Sequence, residues 1–306
     1  MNSETPDLLP VTEQENPRTA NLSSLPTLDI VRLMNDEDGV VATAIRNVLP
    51  QVAQTVDETF ERLSKGGKLF YIGTGTSGRL GVLDASEIPP TFGVSPDLVQ
   101  GIIAGGYDAC HRAVEASEDD FKAGRDDLSA RGFGGGDVLV GIAASGRTPY
   151  TIGALSYARE LGALTVALTC VPDSRITEVA EISIVPVVGP EVVAGSTRLK
   201  AGTAQKMVLN MISTAVMTKL GYVTGNRMTN VKAGNEKLRA RAARIFMAET
   251  GVDESDAERM LHDAGGDLRV ALVMFATKCD SENAKNALTR ANGVVKNAID
   301  DLRHAM

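Results

Sequence analysis

The sequence predicts an α/β protein, built on a doubly wound parallel five-stranded sheet and followed by a small C-terminal helical domain. Short apolar runs typical of buried strands alternate with helical patterns through the middle of the chain. From about residue 249 onward the strand-like runs stop, and only helical periodicity remains.

The N-terminal part precedes this alternation. Residues 1–35 contain four prolines and little periodicity, so we expect an extended arm. Helical periodicity then runs from about 36 to 63, with an interruption expected at Pro50.

The central domain, residues 36–248, carries the sheet. Its strands are expected at 68–72, 99–104, 138–143, 164–168 and 182–188, and a long helix is expected from about 202 to 220.

The tail, residues 249–306, contains a weak internal repeat. The pattern from Asp253 to Ala271 recurs from Asp280 to Ala298, with Asp, Ala, Leu and Gly at matching positions. Each copy is typical of an Asp-capped helix, a glycine break and a second short helix. Packing or dimer support is the expected role of this domain.

Composition excludes several classes of function. The 306 residues carry a formal net charge of −8 and only 4% aromatic residues, whereas nucleic-acid surfaces need basic patches and stacking rings. The three cysteines show no C-x-x-C pair, and the three histidines sit in no cluster, so neither a zinc site nor a nucleophilic triad is indicated. The N-terminus is polar and no run of 18 apolar residues occurs, so we expect a cytoplasmic protein with no membrane partner.

Two of the expected strands are followed by similar loops, and these loops indicate a phosphorylated ligand. Residues 73–79 read Gly-Thr-Gly-Thr-Ser-Gly-Arg, and residues 143–148 read Ala-Ala-Ser-Gly-Arg-Thr. Each loop opens a helix, and a helix N-terminus offers unpaired N–H groups and a positive dipole end to an anion. Ligands of doubly wound sheets bind at the carboxyl ends of the strands, where both loops fall. The expected phosphate-binding residues are Thr76, Ser77, Ser145, Gly146 and Thr148, and Gly78 is also expected to bind the substrate.

A dinucleotide site is the nearest alternative, because residues 73–78 also satisfy G-x-G-x-x-G. That site needs an acidic residue at the end of the second strand, but this strand ends in Ala-Gly-Gly and Asp108 comes late. The second loop would have no role in it. Ordinary strand-to-helix turns are the other alternative, which two matching loops disfavour.

Two glutamates are candidates for proton transfer. Pro89 and Pro90 are expected to end the helix after the first loop, which would place Glu87 in the last turn, where the helix dipole suits a general acid. Glu118 is expected within a helix from about 107 to 121, on a stripe that faces protein. A solvated surface position is the alternative for each.

Taken together, these segments resemble the N-acetylmuramic acid 6-phosphate etherases. The similarity covers nearly the whole chain and is carried by residues 73–87, 101–106, 113–120, 141–150 and 189–206. The resemblance implies a sugar isomerase (SIS) fold, a tail similar to ubiquitin-associated (UBA) modules and a homodimer. It also implies a sugar-phosphate substrate, no cofactor and no metal.

The implied reaction belongs to the recycling of cell-wall amino sugars. It cleaves the D-lactyl ether at sugar carbon 3 by elimination and then water addition, giving N-acetylglucosamine 6-phosphate and D-lactate. The family's two functional glutamates fall on Glu87 and Glu118. In the matching segment 189–206, which is a third Ser/Thr/Gly-rich helix start, the expected substrate-binding residues are Glu191, Ser196, Thr197 and Lys200.

The chain departs from the family pattern in small ways, and two other functions remain as alternatives. Ile88 stands where the family usually has Cys, but neither glutamate is lost. A non-catalytic sugar-phosphate regulator of the SIS fold is the main alternative, although such regulators carry two SIS modules or a DNA-binding domain. A sugar-phosphate isomerase of this fold is the other, and turnover of an ether substrate would separate it.

Overall fold

The computed structural model describes residues 9–112, 114, 118–230 and 236–304. The chain divides into two units. The first unit contains residues up to Ser86 together with Pro96–Ser213, and the second contains Glu87–Ser95 together with residues from Thr214 onward. The domain boundaries predicted from the sequence, at residues 35 and 248, stay a prediction.

The first unit begins with short 3₁₀ turns at Pro17–Thr19 and Leu22–Ser24, followed by helices α1 (Thr27–Asp38), α2 (Val41–Arg46) and α3 (Leu49–Leu63). The arm is therefore shorter than expected. The interruption expected at Pro50 is confirmed to within a few residues, because the helical stretch is broken at 47–48 and Pro50 lies in the first turn of α3, where a missing N–H costs no helical hydrogen bond.

The arm packs against the segment that precedes a later helix of the same unit. Thr19 is buried, and its hydroxyl donates to the carbonyl oxygen of Val192 at 2.9 Å. The carbonyl oxygen of Thr12 accepts from the N–H of Gly195 at 3.1 Å.

The sheet of the first unit confirms the predicted fold class. Its strands are β1 (Leu69–Gly73), β2 (Val99–Ile103), β3 (Val138–Ile142), β4 (Leu164–Leu168) and β5 (Ile182–Ile184), all parallel in the order β2-β1-β3-β4-β5. Every residue of β1, β3 and β4 is buried, which explains their unbroken apolar runs. Strand β5 is shorter than the expected 182–188.

The helices that cover the sheet are α4 (Gly75–Phe92), α5 (Phe121–Ala130), α6 (Pro149–Glu160), α7 (Arg175–Val179) and α8 (Lys200–Lys219). Helices α5 and α6 approach each other through glycines. A Cβ on Gly124 would overlap the carbonyl oxygen of Tyr150, and one on Gly153 would overlap that of Phe121. This close packing holds the first turns of α5 and α6 together.

The second unit contains a two-stranded antiparallel ribbon, β6 (Val223–Thr224) and β7 (Arg227–Met228), and five helices in its described part: α9 (Glu236–Thr250), α10 (Glu254–Asp263), α11 (Leu268–Thr277), α12 (Ser281–Arg290) and α13 (Val295–His304). The predicted repeat corresponds to two helix pairs, α10–α11 and α12–α13. Asp253 and Asp280 cap the first helix of each pair, because their carboxylates accept from the N–H groups of Asp256 and Asn283 at 2.9 and 2.8 Å. Within the described ranges, no helix is both long and apolar enough to cross a bilayer.

Candidate sugar-phosphate site

The two Ser/Gly loops leave the sheet side by side. Strands β1 and β3 are neighbours, and Gly73 pairs in register with Ile142, the last residue of β3. The strand order reverses between these two strands, and this switch point is where doubly wound sheets bind ligands. The sheet therefore brings the two loops to one point of its edge, as a phosphate site between them requires.

The first loop is anchored to α8. Helix α4 begins at Gly75, which has a φ of +50°, and Thr76 is half-buried in its first turn. Ser77 is buried, and its hydroxyl donates to Oε1 of Gln205 on α8 at 2.9 Å.

Gly78, in the same turn, serves close packing. A Cβ at this position would lie 2.5 Å from the carbonyl oxygen of Gly73 and 2.7 Å from Cγ1 of Ile103. Its N–H donates to the carbonyl oxygen of Thr74 at 3.0 Å. Any larger residue would separate α4 from the sheet.

The second loop has a different construction. Gly146 has a φ of +67°, and a Cβ there would overlap Oγ of Ser174, so only glycine fits. Ser145 is half-buried, and its Oγ accepts from the N–H of Arg147 at 3.4 Å. Thr148 is the buried N-cap residue of α6, but its side chain makes no capping hydrogen bond within the described residues.

Glu118 lies beside this second loop, but not within a helix. The helix expected over 107–121 is wrong: a short 3₁₀ turn covers Tyr107–Cys110, and α5 begins only at Phe121. Asp120 starts α5, because its carboxylate accepts from two N–H groups of the first turn, those of Lys122 and Ala123. Residues 113 and 115–117 of the expected helix lie outside the described residues.

The backbone of Glu118 is joined to the start of α6. Its carbonyl oxygen accepts from the N–H of Tyr150 at 3.2 Å, and its side chain is exposed. Glu118 therefore lies close to the N-termini of α5 and α6, which attract negative charge.

Glu87 is exposed on α4, within the second unit. The expectation that Pro89 and Pro90 end this helix is wrong, because α4 continues through both prolines to Phe92. The prolines remove their own N–H donors without ending the helix. Glu87 is therefore not in the last turn, and the negative end of the helix dipole does not favour its protonated form as expected.

At the start of α8, a carboxylate of the protein itself accepts hydrogen bonds from the helix N–H groups. Glu191 is buried, and its two carboxylate oxygens accept from the N–H groups of Lys200 and Ala201 at 3.0 and 2.9 Å. Burial raises the pKa of Glu191, and the two backbone hydrogen bonds oppose that change. The carboxylate takes the place that a bound phosphate would occupy at a free helix N-terminus.

The side chain of Lys200 is also engaged inside the protein. It is 2% exposed, and its ammonium donates to Oε2 of Glu37 at 2.6 Å. Asn16 donates to the same oxygen at 2.8 Å, and Arg18 lies 2.8 Å from the other. Burial works against the charge of Glu37, but these hydrogen bonds and positive charges prevail and lower its pKa.

Ser196 and Thr197 lie between Glu191 and Lys200 in the sequence, in the turns before α8. Both are half-buried, and their N–H groups donate to the carbonyl oxygens of Val193 and Gly195. Of the four substrate-binding residues expected here, Glu191 and Lys200 have partners inside the protein for their charged groups. Ser196 and Thr197 retain accessible surface.

Sequence reasoning missed two polar links between α4 and α8. One is the Ser77–Gln205 hydrogen bond. The other is Asp84, which accepts from Nδ2 of Asn210 at 2.6 Å and from the hydroxyl of Ser213 at 3.2 Å, and whose pKa burial raises. The available signal was the three-residue spacing that puts Asn210 and Ser213 on one face of the expected helix.

No metal centre accompanies this site in the described ranges, where no three His, Cys, Asp or Glu side chains come together in a way that could hold an ion.

Two family models match the chain. The model of the glucokinase regulatory protein N-terminal SIS domain matches residues 51–159, and the SIS domain model matches residues 132–215. A solved structure of a proposed phosphosugar isomerase involved in capsule formation, from Bacteroides fragilis, is 17% identical with a TM-score of 0.50. It covers 66% of this chain and 95% of that one, and supports the fold alone.

Curated relatives match over a much greater length. N-acetylmuramic acid 6-phosphate etherases from Mesorhizobium japonicum, Clostridium beijerinckii and Brucella anthropi are 51%, 50% and 52% identical to this chain. The alignments cover 96%, 95% and 95% of this chain and 96%, 96% and 94% of the relatives. The chain belongs to the N-acetylmuramic acid 6-phosphate etherase family.

Proposed function

We propose that this protein is a carbon–oxygen lyase that cleaves the D-lactyl ether of N-acetylmuramic acid 6-phosphate. The products are N-acetylglucosamine 6-phosphate and D-lactate, and the reaction serves the recycling of cell-wall amino sugars. The observation that carries this proposal is the identity of about half of all residues to etherases over nearly the full length.

The phosphate of the substrate binds between the two loops at the β1–β3 switch point. Thr76, Ser77, Ser145 and Thr148 supply hydroxyl groups there, while Gly78 and Gly146 shape the backbone. The register of β1 with β3 supports this placement, because it brings both loops to one point of the sheet edge.

The segment before α8 contributes to sugar binding through Ser196 and Thr197. Glu191 and Lys200 act by holding this segment in place, since Glu191 caps α8 and Lys200 is paired with Glu37. Both charged groups would have to leave buried partners in order to contact the substrate directly.

The reaction proceeds through the open-chain aldehyde of the sugar. The aldehyde at carbon 1 acidifies the proton on carbon 2, a base removes that proton, and the electron pair forms a double bond between carbons 2 and 3. The carbon 3–oxygen bond breaks, and lactate leaves with a proton from an acid. Water then adds its oxygen to carbon 3 and a proton returns to carbon 2.

Glu118 is the base and Glu87 the acid in this scheme. The support for Glu118 is the hydrogen bond of its backbone to Tyr150, which puts it beside the second phosphate loop and near two helix N-termini. Glu87 is the other functional glutamate of the family pattern, and it therefore takes the role of the acid.

The enzyme works as a homodimer in the cytoplasm, without a cofactor or metal. The resemblance to dimeric SIS proteins supports the dimer, and closed two-fold dimers are the commonest assembly. A phosphorylated sugar substrate is consistent with the cytoplasm. Light scattering that finds a monomer at working concentration would contradict the dimer.

A non-catalytic sugar-phosphate regulator of the same fold is the alternative. The match of residues 51–159 to the glucokinase regulatory protein model favours it, but that match covers a smaller part of the chain than the etherase alignments do. A regulator would bind the substrate without releasing lactate.

The test is turnover of N-acetylmuramic acid 6-phosphate in isotopically labelled water. We expect free D-lactate, deuterium at sugar carbon 2 from heavy water, and the oxygen label at the carbon 3 hydroxyl. Binding without lactate release would favour the regulator, and an oxygen label in lactate would contradict elimination. Glu118→Gln should lose both carbon 2 exchange and cleavage, whereas Glu87→Gln should lose cleavage but retain exchange.

A further inference from the structure

The N-terminal arm contacts residues 190–195, the segment that leads into the proposed sugar-binding residues before α8. Thr12 and Thr19 each make one hydrogen bond to this segment. A third hydrogen bond comes from Asn16, whose Nδ2 donates to the carbonyl oxygen of Pro190 at 3.3 Å. All three arm residues are buried, so the arm holds the segment at several points along its length.

The side-chain amide of Asn16 uses all of its hydrogen-bonding groups. Its Nδ2 carries two hydrogens, and it donates to Oε2 of Glu37 at 2.8 Å as well as to Pro190. Its Oδ1 accepts from the N–H of Arg18 at 3.0 Å. A carboxylate of the same shape could not donate and would add a second negative charge beside Glu37. The position therefore suits a neutral group that donates twice.

Both ends of the segment from 190 to 200 meet at this amide. The oxygen of Glu37 that accepts from Asn16 also accepts from the ammonium of Lys200, at 2.6 Å. Asn16 therefore bonds to the first residue of the segment, Pro190, and to the partner of its last residue.

We propose that Asn16 is a positioning residue, which fixes both ends of residues 190–200 and so holds the hydroxyls of Ser196 and Thr197 in place for the sugar. The inference rests on the proposed function, in which these two hydroxyls contribute to sugar binding. Asn16 acts through the segment and not on the substrate, because its amide is engaged inside the protein. A shift of about 1 Å in a binding group can cost a factor of about 100.

Gln14 provides a matched control two residues away in the arm. It is exposed, and its side-chain amide donates to the carbonyl oxygen of Leu9, within the arm itself, at 2.8 Å. Gln14→Ala therefore removes an amide from the same arm without removing a contact to residues 190–200.

The test compares the affinity of N-acetylglucosamine 6-phosphate with that of inorganic phosphate, which needs only the paired loops. We expect Asn16→Ala to weaken binding of the sugar phosphate by about 10- to 100-fold and to leave binding of inorganic phosphate unchanged. Gln14→Ala should change neither affinity. An unchanged affinity for the sugar phosphate in Asn16→Ala, or equal losses for both ligands, would overturn the proposal.

Double variants show whether Asn16 acts through the segment. Asn16→Ala combined with Ser196→Ala should weaken sugar-phosphate binding by less than the product of the two single effects, because the displaced hydroxyl has already lost its contact. Asn16→Ala combined with Ser145→Ala should give the full product. The full product in both pairs would contradict action through the segment.

Hydrogen exchange followed by mass spectrometry measures the hold on the segment without any ligand. In Asn16→Ala we expect faster exchange in peptides that cover residues 190–201, where the N–H groups of Gly195, Lys200 and Ala201 are hydrogen-bonded, and unchanged exchange in β1 and β3. Unchanged exchange in residues 190–201, or faster exchange throughout the protein, would show that Asn16 does not hold this segment.

Two further variants complete the test. If Asn16→Ala does not fold, Asn16→Ser retains one donor and should show the same pattern with a smaller effect, and the absence of that pattern would contradict the proposal. If Ser196→Ala and Thr197→Ala each leave the affinity for the sugar phosphate unchanged, the sugar contact of the proposed function fails. Hydrogen exchange then still decides separately whether Asn16 holds the segment.

Discussion

The paired loops of the first unit and the start of α8 look alike in sequence but differ in construction. All three are Ser/Thr/Gly-rich segments that open helices. At the start of α8 the carboxylate of Glu191 takes the helix N–H groups, and the ammonium of Lys200 is paired with Glu37. At the loops before α4 and α6, the partners of Ser77 and Ser145 among the described residues are neutral groups.

This difference distinguishes a helix N-terminus that is occupied by the protein's own carboxylate from one that can bind the phosphate of a ligand. A helix N-terminus attracts a negative charge, and the protein can supply that charge itself. Where it does so with a buried carboxylate, a second anion would meet repulsion. The paired loops lack such a carboxylate in the contacts described, which makes them the better location for the substrate phosphate.

The largest expected effect concerns the buried ion pair before α8. Lys200→Met leaves the Glu37 carboxylate without its closest partner, so we expect the free energy of unfolding to fall by about 3–5 kcal/mol. Urea unfolding measures this change. The double variant Lys200→Met with Glu37→Gln removes the unpaired charge and should recover part of the loss. An equal loss in both variants would show that the ion pair is not the cause.

Glycine substitutions in the two loops should differ in effect. Gly146→Ala adds overlap with Ser174 to an unfavourable positive φ, so we expect a loss of about 3 kcal/mol in the free energy of unfolding. Gly75→Ala has the positive φ, but in the described structure its Cβ would have no neighbour within 4 Å, and we expect a loss of only about 1–2 kcal/mol. Equal losses would mean that packing around Gly146 is looser than described.

The two buried glutamates near α8 should affect acid stability in opposite directions. The pKa of Glu37 is lowered in the folded protein, so its contribution to stability is present above its ordinary value of 4.5 and is lost as the pH falls below it. The pKa of Glu191 is raised, so its charged form opposes folding at neutral pH, and this cost disappears as the pH falls.

Urea unfolding at a series of pH values checks these signs. Below pH 4.5, Glu37→Gln should lose less stability on acidification than the unaltered protein does. The effect of Glu191 falls above pH 4.5, and there Glu191→Gln should lack the gain in stability that the unaltered protein shows as the pH falls towards 4.5. The same pH dependence in all three proteins would contradict both assignments.

The sheet could be predicted from the sequence because its strands are buried along their whole length. Runs such as Val138–Ile142 are apolar throughout and end at loops with glycine and serine, so local patterns suffice. The helical tail was predictable for a similar reason, since Asp253 and Asp280 mark helix starts.

The errors arose at helix boundaries and at a contact between residues far apart in sequence. Asp120 starts a new helix at a point where the helical spacing of apolar residues continues without a break. Helix α4 continues through Pro89 and Pro90, although the usual rule for proline would end the helix before them. The pairing of Lys200 with Glu37 joins positions far apart in sequence, so no spacing rule could reveal that the ammonium is already occupied.

The most direct test of the phosphate site is a crystal structure with N-acetylglucosamine 6-phosphate. We expect the phosphate between the two loops at the β1–β3 switch point, within hydrogen-bonding distance of the hydroxyls of Ser77 and Ser145. Density for the phosphate at the start of α8, with Glu191 displaced from the N–H groups of Lys200 and Ala201, would contradict it.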